Sequence, residues 1–79
     1  MEQKIRRDRN IGDNLRRLRN EHGLSQEALC AKLQLSGCDI QRSTYAKYES
    51  GELNVRASVM IKLTKIYNCG FDEFFAGLE

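Results

Sequence analysis

The sequence lacks the residue patterns that metal sites, membrane spans and secretion signals require. Its single histidine, His22, and its three cysteines have no metal-site spacing, and no C-x-x-C pair occurs. Such an odd set of cysteines predicts reduced thiols in the cytoplasm. No apolar run approaches the roughly 18 residues of a membrane span, and the N-terminus has no apolar signal-peptide segment. We therefore expect a cytoplasmic protein that binds no metal, no cofactor and no membrane.

A catalytic set of residues is missing as well. The 79 residues, 41% of them hydrophobic, predict one domain, and a chain this short buries only about 60% of its unfolded surface. A small domain without a ligand pocket or a catalytic group works by presenting a surface. We therefore predict a binding module and not an enzyme.

The formal charge of +2 is unevenly distributed along the chain. Residues 1–20 carry seven basic and three acidic side chains, a net +4, which leaves −2 for residues 21–79. A one-sided positive field favours a polyanionic partner and accelerates encounter with it. A solvated helix face with a disordered basic tail explains the same charges, so both interpretations stay open.

Apolar spacing predicts five helices and no strand. They fall near residues 12–21, 26–33, 42–49 and 57–67, with a short fifth helix from residue 71. Ser25 is a suitable N-cap for the second helix, and Gly51 a suitable end for the third. The predicted fold class is all-α, a five-helix bundle.

The same spacing predicts which side chains point inward. In the third helix Tyr45 and Tyr48 share one face, which leaves a polar face small enough to enter a groove. The main inward stripe of the fourth helix is predicted to be Ala57, Met60, Leu63, Thr64 and Tyr67, flanked by Val59, Ile61 and Ile66. In the fifth helix Phe71, Phe74, Phe75 and Leu78 follow helical spacing.

Several short segments, in order, resemble one known family. They are the opening at 12–19 (GDNLRRLR), the Ser25-Gln26-Glu27 step, the 43–51 segment (STYAKYESG) and the close at 68–75 (NCGFDEFF). Over about residues 11–76 the chain resembles the Xre family of phage-repressor and Cro-like helix-turn-helix regulators. The resemblance implies a lambda-repressor-like bundle that works as a homodimer on a near-palindromic double-stranded DNA operator, with helix 3 in the major groove.

The resemblance also implies roles for individual residues. Base-contacting positions are Gln41, Arg42, Ser43 and Lys47; phosphate-contacting positions are Ser25, Gln26 and Asn54, with Asn20 and Arg56 as further candidates; Arg19 and Glu49 are a structural ion pair. Arg42 would bind guanine O6 and N7, and Gln41 an adenine or a phosphate. For Ser25, N-capping alone is an equally complete explanation.

The chain departs from the family pattern at three places. The connection at 34–41 is longer than the family's short turn, with Leu35 and Ile40 expected to pin it to the core. Tyr45 and Tyr48 replace branched aliphatic residues, so core packing and phosphate binding are both open to them. Val55 stands where the family has a proline at the entry to helix 4.

The domain prediction separates a basic arm at residues 1–10 from a helix-turn-helix domain at residues 11–79. The arm would follow the DNA or be a disordered solubilising tail. The predicted dimer interface comprises Phe75, Leu78, Val59 and Ile66, whereas Phe71 and Phe74 are expected inside the bundle.

The leading functional hypothesis is a sequence-specific DNA-binding transcriptional regulator, acting as a repressor. The alternative is an antitoxin or another protein-interaction module that uses this fold to bind a protein partner. A controller of a restriction-modification operon is a further variant within the DNA-binding class.

Overall fold

A computed structural model describes residues 11–78, which form four α-helices, one 3₁₀ helix and no strand. The elements are α1 (Ile11–Glu21), α2 (Gln26–Leu35), α3 (Arg42–Ser50), α4 (Ala57–Tyr67) and a 3₁₀ helix (Phe71–Phe75). The all-α class is confirmed, but the expected fifth α-helix is a short 3₁₀ segment. None of the described helices is long and apolar enough to cross a bilayer. The proposed arm at residues 1–10 lies outside the described residues.

Local chemistry explains where α2 begins and where α3 and α4 end. Ser25 caps α2, since its Oγ accepts a hydrogen bond from the Ala28 N–H at 3.0 Å. Gly51 ends α3 in the left-handed conformation at φ 84°, and Asn68 ends α4 at φ 54°. Gly51 thus sets where α3, and the surface that it presents, ends.

The core lies where all five elements meet. Each element contributes buried apolar side chains to it. They are Leu15 and Leu18 of α1; Leu29, Cys30 and Leu33 of α2; Ile40 of the connection before α3; Tyr45 and Tyr48 of α3; Val59, Leu63 and Tyr67 of α4; and Phe74 of the 3₁₀ helix. α1 packs against both α3 and the 3₁₀ helix, and α2 against α3 and α4. At Gly12, α1 lies directly on the α3 backbone, because an added Cβ would stand 2.7 Å from the Tyr48 carbonyl oxygen. Two backbones approach there as closely as glycine allows.

The inward face of α4 differs from the predicted stripe. Val59, Leu63 and Tyr67 are buried, whereas Ala57 is exposed. Val59 was placed in the predicted dimer interface, and that assignment is wrong because only 2% of its surface is exposed. Apart from a polar stripe of Ser58, Lys62 and Lys65, α4 is apolar over a wide arc, so spacing alone does not select which part of that arc faces the core.

The 3₁₀ helix also exposes an aromatic side chain expected inside. Phe71 is 50% exposed and rests on the outer side of Phe74, with ring centroids 6.3 Å apart. Phe74 itself is fully buried. The buried amide of Asn14 holds this segment, as its Nδ2 donates to the carbonyl oxygens of Phe74 and Ala76 at 2.8 and 3.0 Å. One buried ring and one amide therefore attach the segment to α1.

The connection between α2 and α3 runs from residue 36 to residue 41. The Cys38 N–H donates to the Leu33 carbonyl at 2.8 Å, and Gln34 Nε2 donates to the Ile40 carbonyl at 2.9 Å. Ile40 is buried, as expected, but Leu35 is exposed because it lies on the helix face opposite the Leu33 side. Two hydrogen bonds and one apolar side chain thus order the connection.

Candidate nucleic-acid interface

The inner face of α3 consists of Tyr45, Tyr48 and Glu49. Their i, i+3, i+4 spacing places them on one side of the helix. The two tyrosine rings meet edge to face, with centroids 6.3 Å apart. Both tyrosines are thus core residues, one of the two roles considered for them.

The outer face of α3 is polar. Ser43, Lys47 and Ser50 follow an i, i+4, i+7 spacing and are all exposed. Arg42 is exposed in the first turn, and Gln41 occupies the N-cap without a side-chain capping bond. The four residues predicted to contact bases are therefore all at the surface, at the start of α3 and along its outer stripe.

Glu49 links α3 to the two preceding helices. Its side chain is only 1% exposed, and its carboxylate accepts hydrogen bonds from Arg19 Nε at 2.6 Å and Arg19 Nη2 at 3.0 Å. Gln26 Nε2 at the start of α2 donates to it at 3.1 Å, and Arg16 Nε lies 3.5 Å from the same oxygen. The Arg19 Nη1 also donates to the Leu24 carbonyl at 2.9 Å. One carboxylate thus connects α1, α2 and α3.

The electrostatics of this cluster keep Glu49 ionised. Burial by itself raises the pKa of Glu49, but hydrogen bonds from Arg19 and Gln26 and the nearby Tyr45 hydroxyl outweigh burial and lower the pKa. Burial raises the pKa of Tyr45 and of Tyr67, and the negative charge of Glu49 adds to both shifts. Glu49 therefore stays a carboxylate, and both phenols stay protonated.

Two of the predicted phosphate contacts lie at the start of α2. Ser25 Oγ is engaged in capping the helix, while Gln26 uses one amide N–H on Glu49. The backbone N–H groups of the first turn of α2 have no helical acceptor, and a helix N-terminus of this kind attracts anions. Asn54, in the loop after α3, and Arg56, at the N-cap of α4, are exposed.

The predicted dimer residues near the end of the chain are partly accessible. Phe75 is 46% exposed, and Leu78 and Ile66 are half-buried. Phe71, which was expected inside, is 50% exposed in the same 3₁₀ helix as Phe75. Arg17 supports the segment from α1, since its Nη2 lies 3.3 Å from a carboxylate oxygen of Glu73.

The resemblance implies that Gln26 braces helix 3 as well as contacting a phosphate, and in the structure its side chain reaches Glu49 of α3 across 23 positions. The sequence did not predict that Arg16 would join Arg19 at the same carboxylate. Arg16 precedes Arg19 by one helical turn, which places both on a shared side of α1, and that spacing was the available signal.

Within the described residues, no group of histidine, cysteine or acidic side chains has the arrangement of a metal site. Comparison with protein families finds a match between residues 15–74 and a family described as helix-turn-helix. No curated protein and no solved structure matched the chain. The family match covers most of the chain, including α2, α3 and the connection between them. The chain therefore belongs to the Xre and Cro-like helix-turn-helix family of DNA-binding regulators.

Proposed function

We propose that this protein is a transcriptional repressor that binds a near-palindromic operator as a homodimer, with α3 in the major groove. The observation that carries the proposal is the outer face of α3, which is polar, accessible and fixed from behind by Glu49. A helix fits the major groove when the side chains near its N-terminus reach base edges. Here those side chains are Gln41, Arg42, Ser43 and Lys47.

Each of these side chains has a distinct chemical role in the proposal. Arg42 donates two hydrogen bonds to guanine O6 and N7, and the free amide of Gln41 pairs with adenine or a phosphate. Ser43 accepts or donates at several base edges. Lys47 lies one turn after Ser43 and reaches a base or a phosphate.

Phosphate contacts then set the position of α3 in the groove. The start of α2 supplies backbone N–H groups, together with Ser25 and the second amide hydrogen of Gln26. Asn54 and Arg56 supply polar groups from the other side of α3. Because Gln26 also binds Glu49, a phosphate at Gln26 is coupled to the angle of α3.

The proposed dimer uses Phe75, Leu78 and Ile66. A 46% exposed phenylalanine and two half-buried aliphatic side chains supply apolar surface for a second copy to cover, which supports the proposal. Repression follows from occupancy, because a dimer seated on a promoter blocks access to the DNA.

Selection from a randomised duplex library identifies the preferred site, and mobility shift on that site tests the reading face. We expect Arg42→Ala to weaken binding by about 1–3 kcal/mol and to relax selectivity at one base pair. Lys47→Ala, if it removes a phosphate contact, lowers the slope of log affinity against log salt by about 0.9.

The matched control for both variants is Lys65→Ala, which removes an exposed charge from α4. It should leave the selected sequence and its affinity nearly unchanged. An Arg42→Ala, Lys47→Ala double variant that binds the selected site as tightly as the parent would show that another surface reads DNA.

Sedimentation with and without operator tests the dimer. We expect Phe75→Ser to weaken self-association and operator binding together, because a polar side chain removes apolar area from the interface. Ile61→Ser is the control, since Ile61 is 44% exposed and lies on a different side of α4 from Ile66. A parent protein that sediments as a monomer both free and on DNA would contradict the dimer.

A further inference from the structure

An open groove of about 570 Å³ lies where the C-terminal ends of α1, α2 and α4 meet. Leu24, Leu35 and Ile66 form its apolar walls, and His22, Lys32 and Ser36 complete the lining. Leu35 is 89% exposed, so the groove presents a contiguous apolar surface to solvent. Because α2 has ten residues, the groove lies about 15 Å from the end of α2 that faces DNA in the proposed function. A partner in the groove therefore leaves the DNA surface accessible.

The charge of the groove indicates the chemistry of its partner. Lys32 is exposed and forms no ion pair within residues 11–78. None of the acidic residues in this part of the chain lines the groove. Apolar walls next to an unpaired cation favour a segment that carries both apolar and acidic side chains.

The 3₁₀ helix of the same chain has this composition on its exposed side. Phe71 and Phe75 are 50% and 46% exposed. Asp72 is exposed as well, and it has no ion-pair partner among the described residues, whereas Glu73 is engaged by Arg17. Two aromatic rings and one unpaired carboxylate thus complement the apolar walls and the cation of the groove.

The 3₁₀ helix does not occupy the groove of its own copy, because Phe74 and the Asn14 amide hold it against α1. The helix and the groove nevertheless adjoin in the fold, since Ile66 of the groove precedes Phe71 by only five residues. A twofold axis between these neighbouring surfaces brings each 3₁₀ helix towards the groove of the other copy. Both contacts then form within one closed dimer.

We propose that the groove binds the 3₁₀ helix of a second copy of this chain. Phe71 and Phe75 of one copy pack against the apolar walls of the other, and Asp72 pairs with Lys32 across the interface. This pairing rests on the homodimer of the proposed function and names the surface that each copy offers to the other. Ile66 of the proposed interface lies in the groove, and Lys32 and Leu35 join it there.

Charge reversal tests the pairing, with sedimentation of the full chain over a concentration series, both free and with operator duplex. We expect Lys32→Glu and Asp72→Lys each to raise the dissociation constant of the dimer about tenfold, because like charges then meet at two symmetric contacts. An equimolar mixture of the two variants should associate nearly as tightly as the parent, since both contacts of the mixed dimer again join opposite charges. The matched controls Lys47→Glu and Glu27→Lys reverse exposed charges outside both surfaces and should leave association of the free protein unchanged.

Leu35→Ser tests the apolar walls and should also weaken the dimer about tenfold, because it removes apolar area from both contacts. A parent that dimerises with no effect of Lys32→Glu and Leu35→Ser would overturn the groove pairing alone. A mixture of the two charge variants that associates no more tightly than either variant would do the same. A parent that stays monomeric both free and on DNA would overturn the dimer and the groove pairing together. Self-association that continues beyond a dimer would overturn the reciprocal arrangement.

Discussion

The buried pair of Arg19 and Glu49 should contribute more to stability than the surface ion pairs of the described helices. The Arg19 side chain is 13% exposed and that of Glu49 only 1%. Arg19→Met would leave the carboxylate buried with a hydrogen bond from Gln26 and a weaker contact from Arg16. A stranded buried charge costs about 3–5 kcal/mol. Because Arg16 partly replaces the lost cation, we expect a loss near the lower limit, about 3 kcal/mol.

Urea unfolding at neutral pH, followed by far-UV circular dichroism, measures this loss. At about 0.05–0.15 kcal/mol per residue, a domain of this size has a total stability of about 4–12 kcal/mol. Arg19→Met therefore removes a large part of it. The control is Arg17→Met, whose partners Glu21 and Glu73 are about half exposed, with 55% and 43% of their side chains accessible. It should cost less than about 1 kcal/mol.

A double variant separates the stranded charge from lost packing. Replacing both partners, as Arg19→Met with Glu49→Leu, removes the buried charge and should recover most of the loss. An Arg19→Met variant no less stable than Arg17→Met, or a double variant as unstable as the sum of its parts, would refute the reasoning.

The same pair gives stability a defined pH dependence. Because the pKa of Glu49 is lower in the folded state than in the unfolded chain, its contribution is complete above the unfolded pKa. It is lost as the pH falls through the folded pKa, that is, below about pH 4. Glu49→Gln should flatten this part of the acid unfolding curve.

Two further variants test the packing of α1. Gly12→Ala places a methyl group against the backbone carbonyl of Glu49, so it should destabilise the fold by about 1–3 kcal/mol and lower the melting temperature. The control is Asn20→Ala on the exposed side of α1, which should change the melting temperature little. Asn14→Ala removes the amide that binds the Phe74 carbonyl and should cost about 1–3 kcal/mol in urea unfolding. Unchanged hydrogen exchange near Phe74 in that variant would show that the amide does not hold the segment.

Sequence reasoning succeeded where the controlling physics is local. The bounds of α4 follow from its periodic apolar run, and the end of α3 follows from Gly51, whose positive φ needs no tertiary contact. The face of α4 was not predictable, because Val59 and Met60 are both apolar and only the neighbouring helices decide which is buried. The fifth helix begins at Phe71, as predicted, but its 3₁₀ form was not predictable. Four apolar side chains at helical spacing also fit a short 3₁₀ turn, and the buried amide of Asn14 holds this one in place.

The candidate site likewise has one part that helical spacing predicts and another part that it does not. The polar outer face of α3 is a property of one helix and is visible in its spacing. The pairing of Arg19 with Glu49 and the bracing role of Gln26 were expected only from the family resemblance, because both depend on how three helices cross and no periodicity links positions 30 residues apart. The contact of Arg16 with the same carboxylate was not predicted.

The residues that anchor α3 and the residues that face outward from it are two separate sets. Tyr45, Tyr48 and Glu49 attach the helix to the domain, and none of the outward side chains takes part in that attachment. Substitutions at Ser43 or Lys47 can therefore accumulate without loss of stability, whereas a single exchange at Glu49 removes the partner of Arg19 and lowers stability. The fold therefore stays constant while the outward side chains of α3 vary. A set of variants that differ in DNA preference can be made, by evolution or by engineering, by changing that one helix surface.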